Sequence, residues 1–294
     1  MTDAKTKTPE ISFEFFPPQN LEASFRLWDT VQALAPMDPR FVSVTYGAGG
    51  TTRELTHDAV TTLQRNSGLR VAAHLTCVSA TKAETLAIAE QYSDAGITDI
   101  VALRGDPPKG AKGFEATKDG FGSSVELIEA LAETGLFILR VGAYPEAHPE
   151  ADNMQANVDW LKRKFDAGAD EALTQFFFEA ESFFRFRDAC AKAGIDTNRI
   201  TPGILPIENW SGARRFALRC GARVPAWLDE AFTKAARDCR SDLLATALCS
   251  ELCTDLLEEG VNRLHFYTLN RPELTRDVCN ALGITPKVRL ENVA

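Results

Sequence analysis

Eight short runs of apolar, β-branched or aromatic residues recur along the chain, and the segments between them space their apolar residues like helices. The runs are Ile11–Phe16, Phe41–Tyr46, Val71–Cys77, Asp99–Gly105, Ile138–Tyr144, Glu171–Phe177, Arg199–Leu205 and Arg263–Leu269. Most begin roughly 30 residues apart, the length of one strand–helix unit. They are near-continuously apolar and do not alternate, which predicts parallel strands covered on both faces. Leu21–Ala35, Arg53–Asn66, Thr81–Ala95, Asn153–Ala167 and Ser182–Ala193 place apolar residues three and four apart, with Gly68, Gly96, Gly168 and Gly194 as stops. Between the seventh and eighth runs the spacing stretches to hold two or three helices, from Gly212 to Glu259, and Arg271–Leu282 predicts a closing helix. Eight strands alternating with helices predict an α/β fold, a single (β/α)8 TIM barrel with extra helices between strands 7 and 8. A doubly wound open sheet is the alternative. One domain spans residues 1–294, with residues 1–10 as a flexible tail; no linker, repeat or low-complexity stretch divides it. Pro107–Gly122, rich in Gly and Lys, reads as a long mobile loop after the fourth strand.

Composition narrows the function classes. With 294 residues, 45% hydrophobic and 25% charged, the chain is outside the disordered, collagen-like and coiled-coil classes. A net charge of −9 argues against nucleic acid or an anionic membrane as the main partner. No apolar run approaches the roughly 20 residues of a spanning helix, and the polar stretch Met1–Glu10 has no signal core. A cytoplasmic protein is the expectation. Seven cysteines form no Cys-x-x-Cys pair. Cys249 and Cys253, four apart on a helix face, are followed by no His or further Cys at ligand spacing, so the thiols read as small buried hydrophobes in a reducing compartment.

A barrel carries its active site at the C-terminal ends of its strands. There the runs offer Glu14, Thr45-Tyr46, His74 with Thr76, Arg104-Gly105-Asp106, Tyr144 with His148, Gln175, and Asn270-Arg271. Glu14 stands among Phe13, Phe15 and Phe16. Burial there would raise its pKa and keep a carboxylic acid protonated for general-acid work; the alternatives are a partly exposed strand-edge Glu or one paired with an interior Lys or Arg. Asp106, before a double proline, either serves the site or orders its own loop. The turn Gly47-Ala48-Gly49-Gly50 is a weak dinucleotide signal, because Thr52 replaces the last glycine of that pattern. His74 and His148 fit hydrogen bonding to a ligand or backbone better than metal binding. Lys162-Arg163-Lys164 is either a solvated face or a phosphate receptor.

Several of these blocks carry a resemblance. Ser12-Phe13-Glu14-Phe15-Phe16-Pro17-Pro18, Phe41 to Ala48, His74-Leu75-Thr76-Cys77 and Ile100 to Asp106 closely resemble the methylenetetrahydrofolate reductase family. So do Tyr144 to Glu150, Lys164 to Ala169, Thr174 to Phe178, Pro202 to Pro206 and His265 to Arg271, all in family order. The resemblance implies a flavin-containing barrel that binds FAD non-covalently, takes a hydride from NADH or NADPH, and passes it in ping-pong fashion to 5,10-methylenetetrahydrofolate, giving 5-methyltetrahydrofolate for one-carbon metabolism and methionine biosynthesis. Carried over residue by residue, Glu14 matches the acid that assists ring opening, and Asp106 the aspartate near the flavin, whose charge favours hydride donation and the cationic iminium. Gln175, Phe216 and Arg271 match substrate contacts, the arginine facing the folate's glutamate carboxylate. Thr45, Tyr46, Ala48, His74, Arg104, Gly105, Asp106, Tyr144, His148, Ala151, Arg163 and Lys164 fall at FAD-contacting positions, which would set Arg163 and Lys164 beside the pyrophosphate. No metal is implied. Departures from the bacterial pattern are Asn157 and Trp160 near the FAD ribose and adenine, Gly212 in place of a common Gln, and Phe121 in the loop after the fourth strand. A chain ending at Ala294 is expected to lack the S-adenosylmethionine-responsive domain of animal enzymes, and bacterial relatives suggest a homo-oligomer. The alternatives within this reading are a flavoprotein subunit that takes electrons from a partner protein, the same enzyme run in the oxidative direction to recycle methyl groups, and a binding protein without turnover.

Overall fold

Parallel pairing between the first and last strands in the chain brings its two ends together within one sheet. The computed structural model describes residues 8–46, 53–106, 110 and 113–287. Among them β1 (Glu10–Phe15), β2 (Val42–Val44), β3 (Val71–Thr76), β4 (Asp99–Leu103), β5 (Ile138–Ala143), β6 (Glu171–Thr174), β7 (Ile200–Thr201), β8 (Gly203–Ile204) and β9 (Arg263–Tyr267) form one parallel sheet. Its order is β7-β6-β5-β4-β3-β2-β1-β9-β8. The seventh expected strand is thus two short pieces. Pro202 has no N–H for a ladder, so β7 bonds β6 on one side and β8 bonds β9 on the other. Pro202 still accepts from the His265 N–H at 3.0 Å, and the sheet becomes a nearly closed TIM-type barrel through this split strand.

Helices alternate with the strands: α1 (Leu21–Leu34), α2 (Arg53–Asn66), α3 (Lys82–Asp94), α4 (Ser124–Thr134), α5 (Met154–Asp166) and α6 (Ala180–Lys192). The stretched segment holds α7 (Trp210–Arg219), α8 (Ala226–Arg237) and α9 (Ser241–Glu258), and α10 (Pro272–Ala281) follows β9. Side chains of Asn20, Thr81, Asn153 and Asn209 cap α1, α3, α5 and α7. Helix α4 lies outside the helices assigned by periodicity, although its signals are local: Ser123 caps the Glu126 N–H, and Gly135 stops the helix at φ +65°. Of the expected ten-residue tail, Glu10 opens β1 and pairs with Arg263, and residues 1–7 lie outside the described residues. No described helix is long and apolar enough to cross a membrane.

Strand side chains alternate between faces with period two. Ile11, Phe13 and Phe15 of β1, with Val42, Val44, Val71, Leu75 and Ile100, face the helices and merge with Val31, Leu34 and Leu63 into one core. A fully buried side chain of this size contributes about 1.5–3 kcal/mol. The barrel interior holds a smaller apolar layer, Phe41, Ala72, Val101 and Leu173, between two polar ends. At the N-terminal end Arg140 bonds Glu171 at 2.9 Å and also binds Asp99; Arg40 joins Glu171 at 2.9 Å and Arg70 joins Asp99 at 2.6 Å. Thr201 donates to Glu171 at 2.6 Å, and the Arg140 guanidinium lies 3.7 Å above the Phe41 ring. Burial raises the Glu171 pKa, but the surrounding guanidiniums and the Thr201 hydroxyl overcome it and hold the carboxyl at about 2.

Candidate functional site

A cavity of about 760 Å³, including its open mouth, occupies the C-terminal end of the barrel. Glu14, His74, Tyr144, Gln175, Phe216 and Tyr267 all line it, supplied by β1, β3, the end of β5, the end of β6, α7 and β9. Its size and its few convergent polar groups suit a small-molecule site.

Glu14 lines the cavity together with Phe15 and Phe16, but its carboxyl does not point at its chain neighbours. Phe13 and Phe15 are its chain neighbours, so period two sends them to the helix side while Glu14 points inward with Ser12. Its Oε2 accepts from the Ser43 hydroxyl at 3.2 Å, and lies 3.2 Å from His74 Nε2 and 3.5 Å from His265 Nε2. Burial pushes its pKa up, yet the charge of His74 and the contacts with both imidazoles outweigh burial and bring it down to about 2. The expected raised pKa is therefore corrected: Glu14 is an ionised carboxylate held between two histidines.

Beside Glu14, aromatic and amide side chains form the wall. The Gln175 N–H anchors on Ala143 O at 2.7 Å, and its Oε1 accepts from the Phe176 N–H at 3.1 Å. Phe216 stacks on Phe176 at 5.4 Å. Tyr267 lies against the barrel wall with its hydroxyl donating to Thr174 O at 2.7 Å. Gly203 makes that approach possible, since a Cβ there would stand 2.6 Å from the Tyr267 ring and 2.1 Å from Thr174 O.

Behind the Gly142 and Tyr144 wall of the cavity stand two cations, Lys164 and Arg104. Lys164 is buried, donates to Gly142 O at 2.7 Å, and has no carboxylate within ion-pair distance among the described residues. Burial, with Arg104 nearby, pushes its pKa down to about 8. An unpaired buried ammonium is costly, and an anion from outside the chain would relieve it. Arg104 forks onto Glu150 at 2.5 and 3.0 Å and lies over Phe114. Tyr144 meets His148 edge-on at 4.6 Å, and burial together with Asp106 raises its hydroxyl to about 12. Asn157 ties this corner by donating to Tyr144 O and accepting from the His148 N–H, and the Ala151 N–H closes the turn on His148 O. Gly105 turns the chain at φ +86°, where a Cβ would strike Val78 and Thr76; Thr76 Oγ1 below it is buried without a partner among the described residues. Thr45 fastens the end of β2, its N–H on Phe15 O at 2.9 Å, and Tyr46 is half-buried beside it.

Not every expected residue converges. Lys162-Arg163-Lys164 is divided by helical geometry: Lys164 faces inward, Lys162 pairs with Asp166, and Arg163 is exposed over the Trp160 ring at 4.5 Å. Arg271, at the start of α10, is half-exposed and paired with Glu208 at 2.9 Å. Asp106 is exposed and reaches the site through its field on Tyr144. Ala48 and the glycine turn at 47–50 lie outside the described residues, as do 107–109, 111 and 112 of the loop after β4. Ser12, Ser43, His265 and Tyr267 were absent from the candidate residues. Period two in β1 and β9 was the available signal, because it aligns His265 and Tyr267 with Ser12 and Glu14 in register.

Comparisons with known proteins bear on this site. The family model described as methylenetetrahydrofolate reductase matches residues 1–283. The 5,10-methylenetetrahydrofolate reductases of Salmonella typhimurium and Escherichia coli are each 44% identical over 277 residues, covering 94% of this chain and 91% of those proteins. Methylenetetrahydrofolate reductase (NADH) 1 of Arabidopsis thaliana is 33% identical over 292 residues, which span 95% of this chain and 49% of that protein. Among solved structures, an uncharacterized protein from Clostridium thermocellum that binds two copies of 5-methyl-5,6,7,8-tetrahydrofolic acid shares the fold with a TM-score of 0.61 at 14% identity, covering 94% of each chain.

Proposed function

The chain belongs to the methylenetetrahydrofolate reductase family and is an enzyme of methylenetetrahydrofolate reduction; we propose that it draws the hydride from NADH or NADPH through non-covalent FAD, the two substrates occupying the cavity in turn. The observation that carries this reading is that Glu14, Gln175 and Phe216 meet in one cavity, and that the buried Lys164, with no carboxylate in reach among the described residues, donates to Gly142 O in its wall.

The described residues fit FAD. Lys164 supplies a buried cation for the pyrophosphate, and Arg104, forked onto Glu150, a second positive charge beside it. The orphaned Thr76 hydroxyl is a hydrogen-bonding position, and Gly105 permits close backbone approach. Bound there, FAD would accept a hydride from the nicotinamide and return one to the folate.

The chain's own residues do the remaining work. Phe216, backed by Phe176, offers an aromatic face to either substrate. Gln175 presents its side-chain amide to the folate, the edge of the amide being fixed by its bond from Phe176. Glu14 delivers the proton that lets the folate's five-membered ring open. Since its pKa is depressed, Glu14 is ionised at rest and must take up that proton from the cavity before passing it to the folate. Asp106 adds negative charge near Tyr144, which favours a cationic iminium over a neutral ring.

Anaerobic mixing tests the reading. NADH or NADPH should bleach the yellow protein, and methylenetetrahydrofolate should then restore the colour. Colourless protein that takes up no FAD would overturn it. Restoration by folate after chemical reduction, without bleaching by either nucleotide, would assign electron delivery to a different donor.

A further inference from the structure

His265 is fully buried on β9 and lies behind Glu14 in the barrel interior. Its Nδ1 stands 2.8 Å from the Ser12 hydroxyl, which also reaches Leu264 O at 3.4 Å. Phe41 stacks on the ring at 5.8 Å and Tyr267 meets it edge-on at 5.2 Å. That leaves Nε2, which has no in-line hydrogen bond and faces Glu14 Oε2 at 3.5 Å. His74 Nε2, equally without one, faces the same oxygen at 3.2 Å from β3.

A bare nitrogen lone pair at these distances from a carboxylate oxygen is repulsive, so each Nε2 must carry its proton. For a neutral His265 this makes Nδ1 the acceptor and Ser12 the donor. Among the described residues the neighbouring elements supply no competing charge. β2 contributes Ser43, the residue before that strand the Phe41 ring, β9 the Tyr267 ring, and β5 Arg140, which lies over Phe41 and is committed to Asp99 and Glu171.

We propose that His265 is the positioning residue for Glu14: Ser12 fixes its tautomer, its Nε2–H and that of His74 clamp Glu14 Oε2, and the other carboxyl oxygen is left to present the proton to the folate. The inference rests on the function proposed above and names a part of the acid machinery beyond Glu14 itself. The transferred proton leaves the carboxyl and ends on the folate nitrogen whose bond to the methylene carbon breaks. The carboxylate regains a proton from the cavity before the next turnover. His265 stays on its serine throughout.

The two half-reactions separate this role from a structural one, because only the folate stroke consumes the proton. His265→Gln should slow folate-driven recovery of flavin colour by about 10- to 100-fold, the loss typical of a misplaced reacting group. The folate KM should hold, the pH profile of that stroke should shift, and bleaching by NADH or NADPH should stay within about twofold. Ser12→Ala should give a smaller loss in the same direction. Equal losses in both strokes, or an unchanged rate and pH profile in His265→Gln, would overturn the role. Should that variant fail to fold, histidine NMR of the whole protein decides. The chain has four histidines, and the Cε1–H signals of His74 and His265 must both move on Glu14→Gln; a His265 signal that stays put overturns the clamp. Wild-type protein that folate does not reoxidise would overturn the function and this role together, whereas a wild type that responds and is matched by His265→Gln overturns the role alone.

Discussion

At the N-terminal end of the barrel, Asp99, Arg140 and Glu171 meet Arg40, Arg70 and Thr201, and every buried charge faces an opposite one. At the C-terminal end, among the described residues, Lys164 is buried without a carboxylate, Thr76 Oγ1 has no partner, and the Nε2 atoms of His74 and His265 crowd a single oxygen. Both ends bury polar groups at comparable depth, so burial does not distinguish them. Completeness does. A closed network needs nothing from outside and holds the strands in register, whereas an open one is stable only if a ligand, a proton or water completes it. The polar groups that a barrel leaves unfinished are therefore the guide to where it works.

Substitutions at each end should separate the two roles. The largest effect is expected from Glu14→Gln, which should cut methylenetetrahydrofolate turnover by about 10²–10⁴-fold with a smaller loss of stability than a break in the closed network gives; steady-state kinetics with calorimetry would check both. Arg140→Met should do the reverse. It strands Asp99 and Glu171 facing one another, and denaturant unfolding should register a loss of about 3–5 kcal/mol, with activity per folded molecule retained. A smaller effect appears in acid. The folded-state pKa of Glu171 lies near 2, below its ordinary 4.5. Its contribution is thus fully present above about 4.5 and drains away as pH falls toward about 2. Acid unfolding should track that window in the wild type, and Glu171→Gln should flatten it.

Much of this architecture is legible in the sequence. Parallel strands covered on both sides read as apolar runs, and the eight runs locate the barrel because its outer face, with Ile11, Phe13 and Val44, is what they record. Pro202 marks the split in the seventh strand, and Ser123 with Gly135 marks α4. The convergence of Glu14 and Gln175 is legible too, since both stand at strand ends. What the linear pattern hides is which neighbour matters. Phe13 and Phe15 adjoin Glu14 in the chain but lie on the other face, and its electrostatic partners come from β3 and β9. Likewise Arg163 and Lys164 are adjacent in sequence but about 100° apart around the helix, so one stacks on Trp160 while the other is buried. Arg271 finds Glu208, a partner that spacing does not announce.

The most direct test of the contrast between the ends is a titration of FAD into flavin-free protein, comparing the wild type with Lys164→Met. If Lys164 awaits the pyrophosphate, the wild type binds FAD and the variant binds it at least about tenfold more weakly. Wild-type affinity should also fall as pH rises beyond about 8, where the buried ammonium loses its proton. Failure of the wild type to bind FAD, or equal affinity in the two proteins at every pH, would contradict the account.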